Sequence, residues 1–343
     1  MRLTEPYAIA YETIDHATNV FLRIVTDGAI VGLGCAAPDE HLTGETVESV
    51  LGGIREIAEP VLLGADASRW AAPLRCLSRE LSNRPAVRAA VDLALFDILG
   101  KSAEIPLWKL LGGCRDCIPT SVTVGILSDR DTVARARQWV NEGFRVLKIK
   151  GGRDVESDIA RVQMVRAAIG GEIELRFDAN QGYTVEQALH FISQTQSARL
   201  QLLEQPTPRG QLQSLAQVTR QSTIPIMADE SMMNVRDAFE IARHGLANMV
   251  NVKLMKIGGI AEAMEVDAVA GVAGVQCMVG SVDESALGIA AGLAFALSRR
   301  NVVFADLDGH LGLENDPAGG AVMLRDGSLF PSEEPGLGLE VID

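Results

Sequence analysis

Short apolar runs that each close on a charged residue recur through the second half of the chain. They are Val146-Leu147-Lys148-Ile149-Lys150, Leu175-Arg176-Phe177-Asp178, Leu202-Leu203-Glu204, Ile224-Pro225-Ile226-Met227-Ala228-Asp229 and Met249-Val250-Asn251-Val252-Lys253. The closing residues stand 28, 26, 25 and 24 positions apart. One strand, one helix and two turns fill such a gap, which predicts a repeated βα unit. Ser121-Val122-Thr123-Val124 precedes the series, and Val275–Gly280 and Val302–Asp308 continue it at similar spacing. Eight strands at near-constant intervals predict a (β/α)8 barrel. A doubly wound open sheet rarely needs eight strands, and no G-x-G-x-x-G follows the first one.

The first 110 or so residues are patterned differently. Phe21–Thr26 and Ala29–Gly34 flank Asp27-Gly28, a hairpin signal. A polar stretch, Tyr11 to Asn19, lies between the first strand and this hairpin. Thr46–Ala65 and Arg84–Leu110 read as helices, the second with Ala89, Ala90, Val91, Leu93, Ala94, Leu95 and Ile98 on its buried face. The expected layout is an α+β capping domain over residues 1–115 and a barrel over 116–310. An irregular Pro-containing segment, 311–343, is expected to return to the first domain.

Composition narrows the partners. Lys and Arg number 31 against 45 Asp and Glu, a formal charge of -14, which disfavours nucleic acid and anionic membranes. No apolar run reaches the roughly 18 residues of a spanning helix, and no basic-then-apolar leader opens the chain, so a cytoplasmic location is expected. A homo-oligomer is the expected assembly. Five cysteines in 343 residues make no disulfide framework. Cys114 and Cys117 lack a second pair or a nearby His and read as thiols in a connecting loop.

The candidate chemistry sits at the strand ends, because parallel strands point the same way and gather their last residues at one mouth. Lys148 and Lys150, two apart, share a face, and mutual repulsion is expected to lower the proton affinity of at least one. Lys253 brings another amine from across the ring. Asp178, Glu204 and Asp229 close three consecutive strands and offer only oxygen. Such donors suit Mg2+; taken singly, each acid also suits the N-cap of the helix after its strand.

Lys148-Ile149-Lys150, Asp178-Ala179-Asn180, Glu204-Gln205-Pro206, Asp229-Glu230-Ser231 and Asn251-Val252-Lys253-Leu254-Met255-Lys256-Ile257-Gly258-Gly259 resemble the muconate lactonizing enzyme subgroup of the enolase superfamily. The resemblance spans nearly the whole chain. It implies a modified, enolase-like barrel beneath the capping domain, with Mg2+ on Asp178, Glu204 and Asp229. Lys150 and Lys253 are then the acid/base pair on opposite faces of a substrate carboxylate's α-carbon, working through an enediolate. Lys256 is expected to be a loop residue.

Asp306-Leu307-Asp308 resembles the D-x-D element of the dipeptide epimerases, which binds a free α-ammonium. The implied reaction is 1,1-proton transfer at the C-terminal residue of a dipeptide. Lys148, Thr123, Glu284, Asp15 and His16 are further candidate substrate contacts, with Glu284 expected to orient Lys253 or line the site. His310 is expected in a surface or capping role. Ala-Glu epimerases place an Arg in the stretch that here runs from Tyr11 to Asn19, and no Arg lies between Arg2 and Arg23. Gly34-Cys35-Ala36 likewise stands where the family often reads Gly-Glu-Ala. An uncharged or cationic second side chain is therefore expected. N-acylamino acid racemase, o-succinylbenzoate synthase and muconate cycloisomerase are the competing activities, and a catalytically dead metabolite-binding barrel is the alternative of another class. An acylated or aromatic acid brings no ammonium for Asp306 and Asp308.

Overall fold

The Asp27-Gly28 turn closes the predicted hairpin: Val20–Val25 and Val31–Ala36 pair antiparallel, from Val20 opposite Ala36 to Val25 opposite Val31. Gly32 and Gly34 share one face of the second strand, and that face lies directly on the helix Pro85–Ser102. A Cβ on Gly34 would stand 2.0 Å from the Ala90 carbonyl oxygen, and one on Gly32 2.3 Å from that of Ala94. The glycines thus let strand and helix backbones touch. In the computed structural model, which describes residues 1–340, this pair is the core of the N-terminal module.

Two expectations about this module change. The expected helix Arg84–Leu110 ends at Ser102, and a separate turn of helix covers Leu107–Leu110. Glu104 adopts φ 56°, and Pro106 has no N–H to continue the ladder. The stretch Tyr11 to Asn19 is not wholly a loop. Thr13–His16 forms a strand that pairs antiparallel with Arg2–Ala8, so the chain enters as a second hairpin whose turn is Ile9–Glu12. The expected helix Thr46–Ala65 runs from Val47 to Leu62 with a π-turn, Ile54–Ala58, inside it. Thr46 and Ser49 cap its start reciprocally.

Eight parallel strands follow in sequential order: Val122–Val124, Val146–Lys150, Glu174–Asp178, Leu203–Glu204, Ile226–Ala228, Met249–Lys253, Gln276–Gly280 and Val302–Asp306. A bridge between Thr120 and Ala305, with Ser121 N–H donating to the Ala305 carbonyl at 3.1 Å, brings the first strand back to the eighth. The interior is packed. Leu202, Met227, Met249 and Met278 fill its floor, and Arg176, buried, lies over the Phe304 ring at 4.3 Å and donates to the Ala305 carbonyl at 2.9 Å. Among the described residues, no helix is long and apolar enough to cross a membrane.

Helix Pro85–Ser102 ties the modules together through two buried acids. Asp92 accepts from Ile260 and Ala261 N–H, at 2.6 and 3.1 Å, and so caps the helix Ile260–Val272 of the barrel. Gly259, φ 114°, makes this approach possible, since a Cβ there would meet Asp92 Cγ at 2.3 Å. Asp97 accepts from Leu33 N–H at 2.8 Å, Leu337 N–H at 2.7 Å and the Lys101 ammonium at 2.7 Å. Leu337, in the C-terminal segment, bonds Asp97 of the first module. That segment is not irregular throughout: Val322–Arg325 and Ser328–Pro331 form a hairpin that adds to Ile118–Pro119. Its last three residues lie outside the described residues. All five cysteines are free.

Gly34→Ala should cost about 1–3 kcal/mol, since the new methyl meets backbone rather than a side chain that can turn aside. Urea unfolding monitored by tryptophan fluorescence will show it as a lowered midpoint.

Candidate active site

Strand register brings the predicted residues together. Lys150 stands opposite Asp178, Asp178 opposite Glu204, Lys253 opposite Gly280, and Gly280 opposite Asp306. Lys150 and Lys253 close the second and sixth of eight strands, four apart, so they face each other across the ring. Each holds a carboxylate: Lys150 Nζ lies 2.8 Å from Asp178 Oδ2, and Lys253 Nζ 2.9 Å from Asp229 Oδ2. Asn251 Nδ2 donates to Glu204 Oε1 at 2.7 Å, and the Asn180 N–H to Asp178 Oδ1 at 2.9 Å.

Lys148 departs from expectation. Its Nζ is 2.6 Å from Asp306 Oδ2, 3.1 Å from Glu204 Oε2 and 3.3 Å from Asp178 Oδ2. Burial opposes its charge, but Asp306, Glu204 and Asp178 together raise its pKa well above the ordinary lysine value. Repulsion from Lys150 does not dominate, because three carboxylates are closer partners than one amine. Lys253 is likewise raised: burial lowers it, and Asp229 more than compensates.

Lys256 is not a loop residue. It lies in the turn of helix Leu254–Ile257 and is 1% exposed. Its ammonium donates to Asp229 Oδ1 and the Asp229 carbonyl, each at 2.7 Å, and to the Asn251 carbonyl at 2.9 Å. With Lys253 on the other oxygen, Asp229 is held well below the usual carboxylate range despite its burial. The spacing of Lys256 from Lys253 carries the missed signal: a tight turn after the strand swings the third residue back under the strand end.

The three expected metal ligands lie on adjacent strands and are buried, and every donor atom is oxygen. Among the described residues they do not form a gathered three-ligand cluster, because ammonium groups stand at their oxygens instead. Glu204 Oε2 is buried and makes no hydrogen bond, and burial followed by Asp178 pushes Glu204 up to about 7. A carboxylate crowded by other carboxylates, its Oε2 met only by the Lys148 ammonium at 3.1 Å, fits a hard cation.

The two acids of the eighth strand are not equivalent. Asp306 is engaged, its Oδ2 by Lys148 and its Oδ1 by the Ser121 hydroxyl at 2.5 Å. Asp308 accepts only the Thr123 N–H, at 2.6 Å, and burial followed by Asp306 pushes it up to about 6. Beside it the Tyr7 hydroxyl reaches both oxygens of Asp283, at 3.0 and 2.9 Å. Glu284 is buried behind this wall rather than on it. Its Oε2 lacks a hydrogen bond, and burial pushes it up to about 8.

A cavity of about 480 Å³ opens above these strand ends, walled by Thr123, Lys148, Lys150, Lys253, Asp306 and Asp308 below and by the N-terminal hairpin above. The hairpin residues on that wall include Glu5, Tyr7, Ile9, Tyr11, Glu12 and Ile14. Asp15 and His16 are not among them. Strand alternation turns Ile14 inward and Asp15 outward, while His16 lies at the strand's far end opposite Arg2. Both are about two-thirds exposed and bond each other at 2.5 Å. Asp39 and Glu230 also line the wall; Glu230 stands in the Asp229-Glu230-Ser231 motif, which assigned a role only to Asp229, and Asp39 stands in none. His310 is not on the surface: it is half-buried, its Nδ1 has no partner, and burial pushes it down to about 4.

Fold and site together define a barrel enzyme with acids and amines at the C-terminal mouth of its strands and an α+β cap above them. Residues 1–112 match the mandelate racemase / muconate lactonizing enzyme N-terminal domain, and residues 131–343 match the enolase C-terminal domain-like family. The L-Ala-D/L-Glu epimerase of Bacillus subtilis is 38% identical over 98% of this chain and 93% of its own. The dipeptide epimerase of Enterococcus faecalis, solved with Mg and the dipeptide L-Leu-L-Tyr, is 35% identical with a TM-score of 0.95, covering 99% of this chain and 97% of that one. The dipeptide epimerase of Methylococcus capsulatus, solved with Mg and L-Arg-D-Lys, is 37% identical with a TM-score of 0.94, covering 99% and 96%. The chain belongs to the enolase superfamily, in its mandelate racemase and muconate lactonizing enzyme branch, and is an isomerase of the epimerase and racemase kind.

Lys256→Met should cost about 3–5 kcal/mol, because it strands half of a buried carboxylate without its partner. Denaturant unfolding of the metal-free protein will measure the loss.

Proposed function

We propose that this protein epimerises dipeptides, moving a proton off and onto the α-carbon of the C-terminal residue. The observation that carries the reading is the pair Lys150 and Lys253, four strands apart on one ring, each beside its own carboxylate. An α-carbon held between them presents one face to each amine. The neutral amine on one side takes the proton, and the ammonium on the other delivers one, so the configuration inverts. Substrates of opposite handedness exchange the two roles. Relatives solved with Mg support Asp178, Glu204 and Asp229 as the residues that would hold Mg2+. The ion would supply charge stabilisation to the substrate carboxylate as the proton leaves.

The remaining residues orient. Lys148, held by Asp306, Glu204 and Asp178, keeps a positive charge at the barrel centre, where a substrate carboxylate must approach three protein carboxylates. Asp308 and Asp283, on the eighth-strand side of the cavity, have hydrogen-bond partners but no cation, and they suit the free α-ammonium. An N-acylated substrate offers no charge to either acid, which supports the dipeptide reading over an N-acylamino acid racemase. The polar, hairpin-covered mouth serves to limit water around the reacting carbon.

The test is proton NMR in D2O with Mg2+ present. Free dipeptides should lose their C-terminal α-proton signal, and N-acetylated counterparts should lose it far more slowly. Lys150→Ala and Lys253→Ala should each lower epimerisation by about 10²–10⁴-fold. Full turnover in Lys150→Ala, or faster exchange of the acetylated compounds, sinks the proposal.

A further inference from the structure

The cavity wall holds more negative charge than the reaction uses. Each cation there has an acid already: Arg135 takes Glu5, Lys148 takes Asp306, Lys150 takes Asp178 and Lys253 takes Asp229. If Asp283 and Asp308 receive the α-ammonium, four carboxylates of the lining are left over: Glu142, which accepts from the Gln138 amide, and, between the barrel mouth and the hairpin, Glu12, Asp39 and Glu230. Among the described residues the one ion-pair partner of Glu12, Asp39 and Glu230 is His41, 3.6 Å from Glu12 and itself well exposed; Lys253 acts on Glu230 only from beyond its own bond to Asp229. Glu230 is 5% exposed, reaches the cavity, and leaves its Oε2 without any hydrogen-bond partner. A buried carboxylate oxygen with nothing to accept from is costly to an empty site and favourable to a ligand that brings a donor.

The two acidic groups are carried by different elements. Asp283 and Asp308 follow the seventh and eighth barrel strands, and Asp283 accepts from the Tyr7 hydroxyl; Glu12 lies in the hairpin turn beside Tyr11 and His41, Asp39 lies two residues before His41, and Glu230 adjoins Asp229, whose Oδ2 is 2.9 Å from Lys253 Nζ. The second group therefore sits on the Lys253 side of the cavity, under the hairpin turn. A side chain on the inverted carbon that points toward that turn meets these acids. Tyr11 packs against His41 with ring centroids 5.2 Å apart and planes tilted by 53°, so the wall there is aromatic and edged with acids, suited to an aliphatic stem with a charged tip.

Resting on the dipeptide reading above, we propose that the preferred substrates carry a cationic side chain, lysine or arginine, on the residue that is epimerised, with Glu12 and Asp39 as its recognition residues and Glu230 as a further acceptor. A neutral side chain would leave the acids uncompensated, and a glutamate would add to their repulsion.

The experiment compares α-proton exchange of L-Ala-L-Lys, L-Ala-L-Leu and L-Ala-L-Glu by the Mg2+-loaded protein. The lysine dipeptide should lead in kcat/KM, with glutamate last. Glu12→Gln and Asp39→Asn should each cut the lysine-to-leucine ratio by about tenfold to a hundredfold, mainly through KM, and Glu12→Arg should move glutamate ahead of lysine. A wild-type preference for leucine or glutamate, or a ratio that neither neutralising variant moves, overturns the inference and leaves the epimerase reading standing. No exchange with any free dipeptide overturns that reading as well.

Discussion

Four ammonium groups and four carboxylates, nearly all out of contact with water, meet at the mouth of this barrel. Lys148, Lys150, Lys253 and Lys256 stand against Asp178, Glu204, Asp229 and Asp306, and none of the eight is more than 8% exposed. Burying any one of these charges alone would cost several kcal/mol; burying them as a connected set is possible because each has an opposite within hydrogen-bond reach. Lys148 is the hub, since it touches three of the four acids. The arrangement gives the site a core that is charged yet ordered before substrate arrives. Around it, the floor of Leu202, Met227, Met249 and Met278 below and the hairpin above keep the dielectric low, so each charge acts strongly on the next.

That core works only if the cap sits correctly over the barrel, and a few buried acids secure this. Asp92 caps a barrel helix from the capping module, and Asp97 gathers the hairpin strand, its own helix and the returning C-terminal segment. Arg88 adds an ion pair to Glu262 and a hydrogen bond to the Ile257 carbonyl at 3.2 Å, one residue beyond Lys256. The same helix that packs against the glycine-faced strand thus also fixes the segment carrying Lys253 and Lys256. The hairpin above the cavity and the charged strand ends below it are thereby held in one frame.

Legibility followed the periodicity of each element. Barrel strands have a period of two and a fixed direction, so residues closing successive strands had to collect at one end, and Lys150, Asp178, Glu204, Asp229 and Lys253 did so. Where a side chain's role depended on its tertiary neighbours, local pattern failed. Lys148 and Lys150 read as a repelling pair, whereas three carboxylates from other strands decide the protonation of Lys148. Asp92 and Asp97, set in an apolar helix, gave no local sign of the backbone N–H groups they accept from. The strand Thr13–His16 looked like a loop because only one of its residues, Ile14, faces the interior apolar wall.

The order of charged strand ends, the barrel and the capping module were therefore determined by the sequence alone, because they rest on spacing and alternation, which are local and repeat. Which acid meets which amine was decided only by the tertiary structure. So was the inward turn of Glu12 and the outward turn of Asp15, and the carboxylates left without a cation. Those outcomes depend on closing the ring and seating the hairpin, which bring together side chains more than a hundred residues apart.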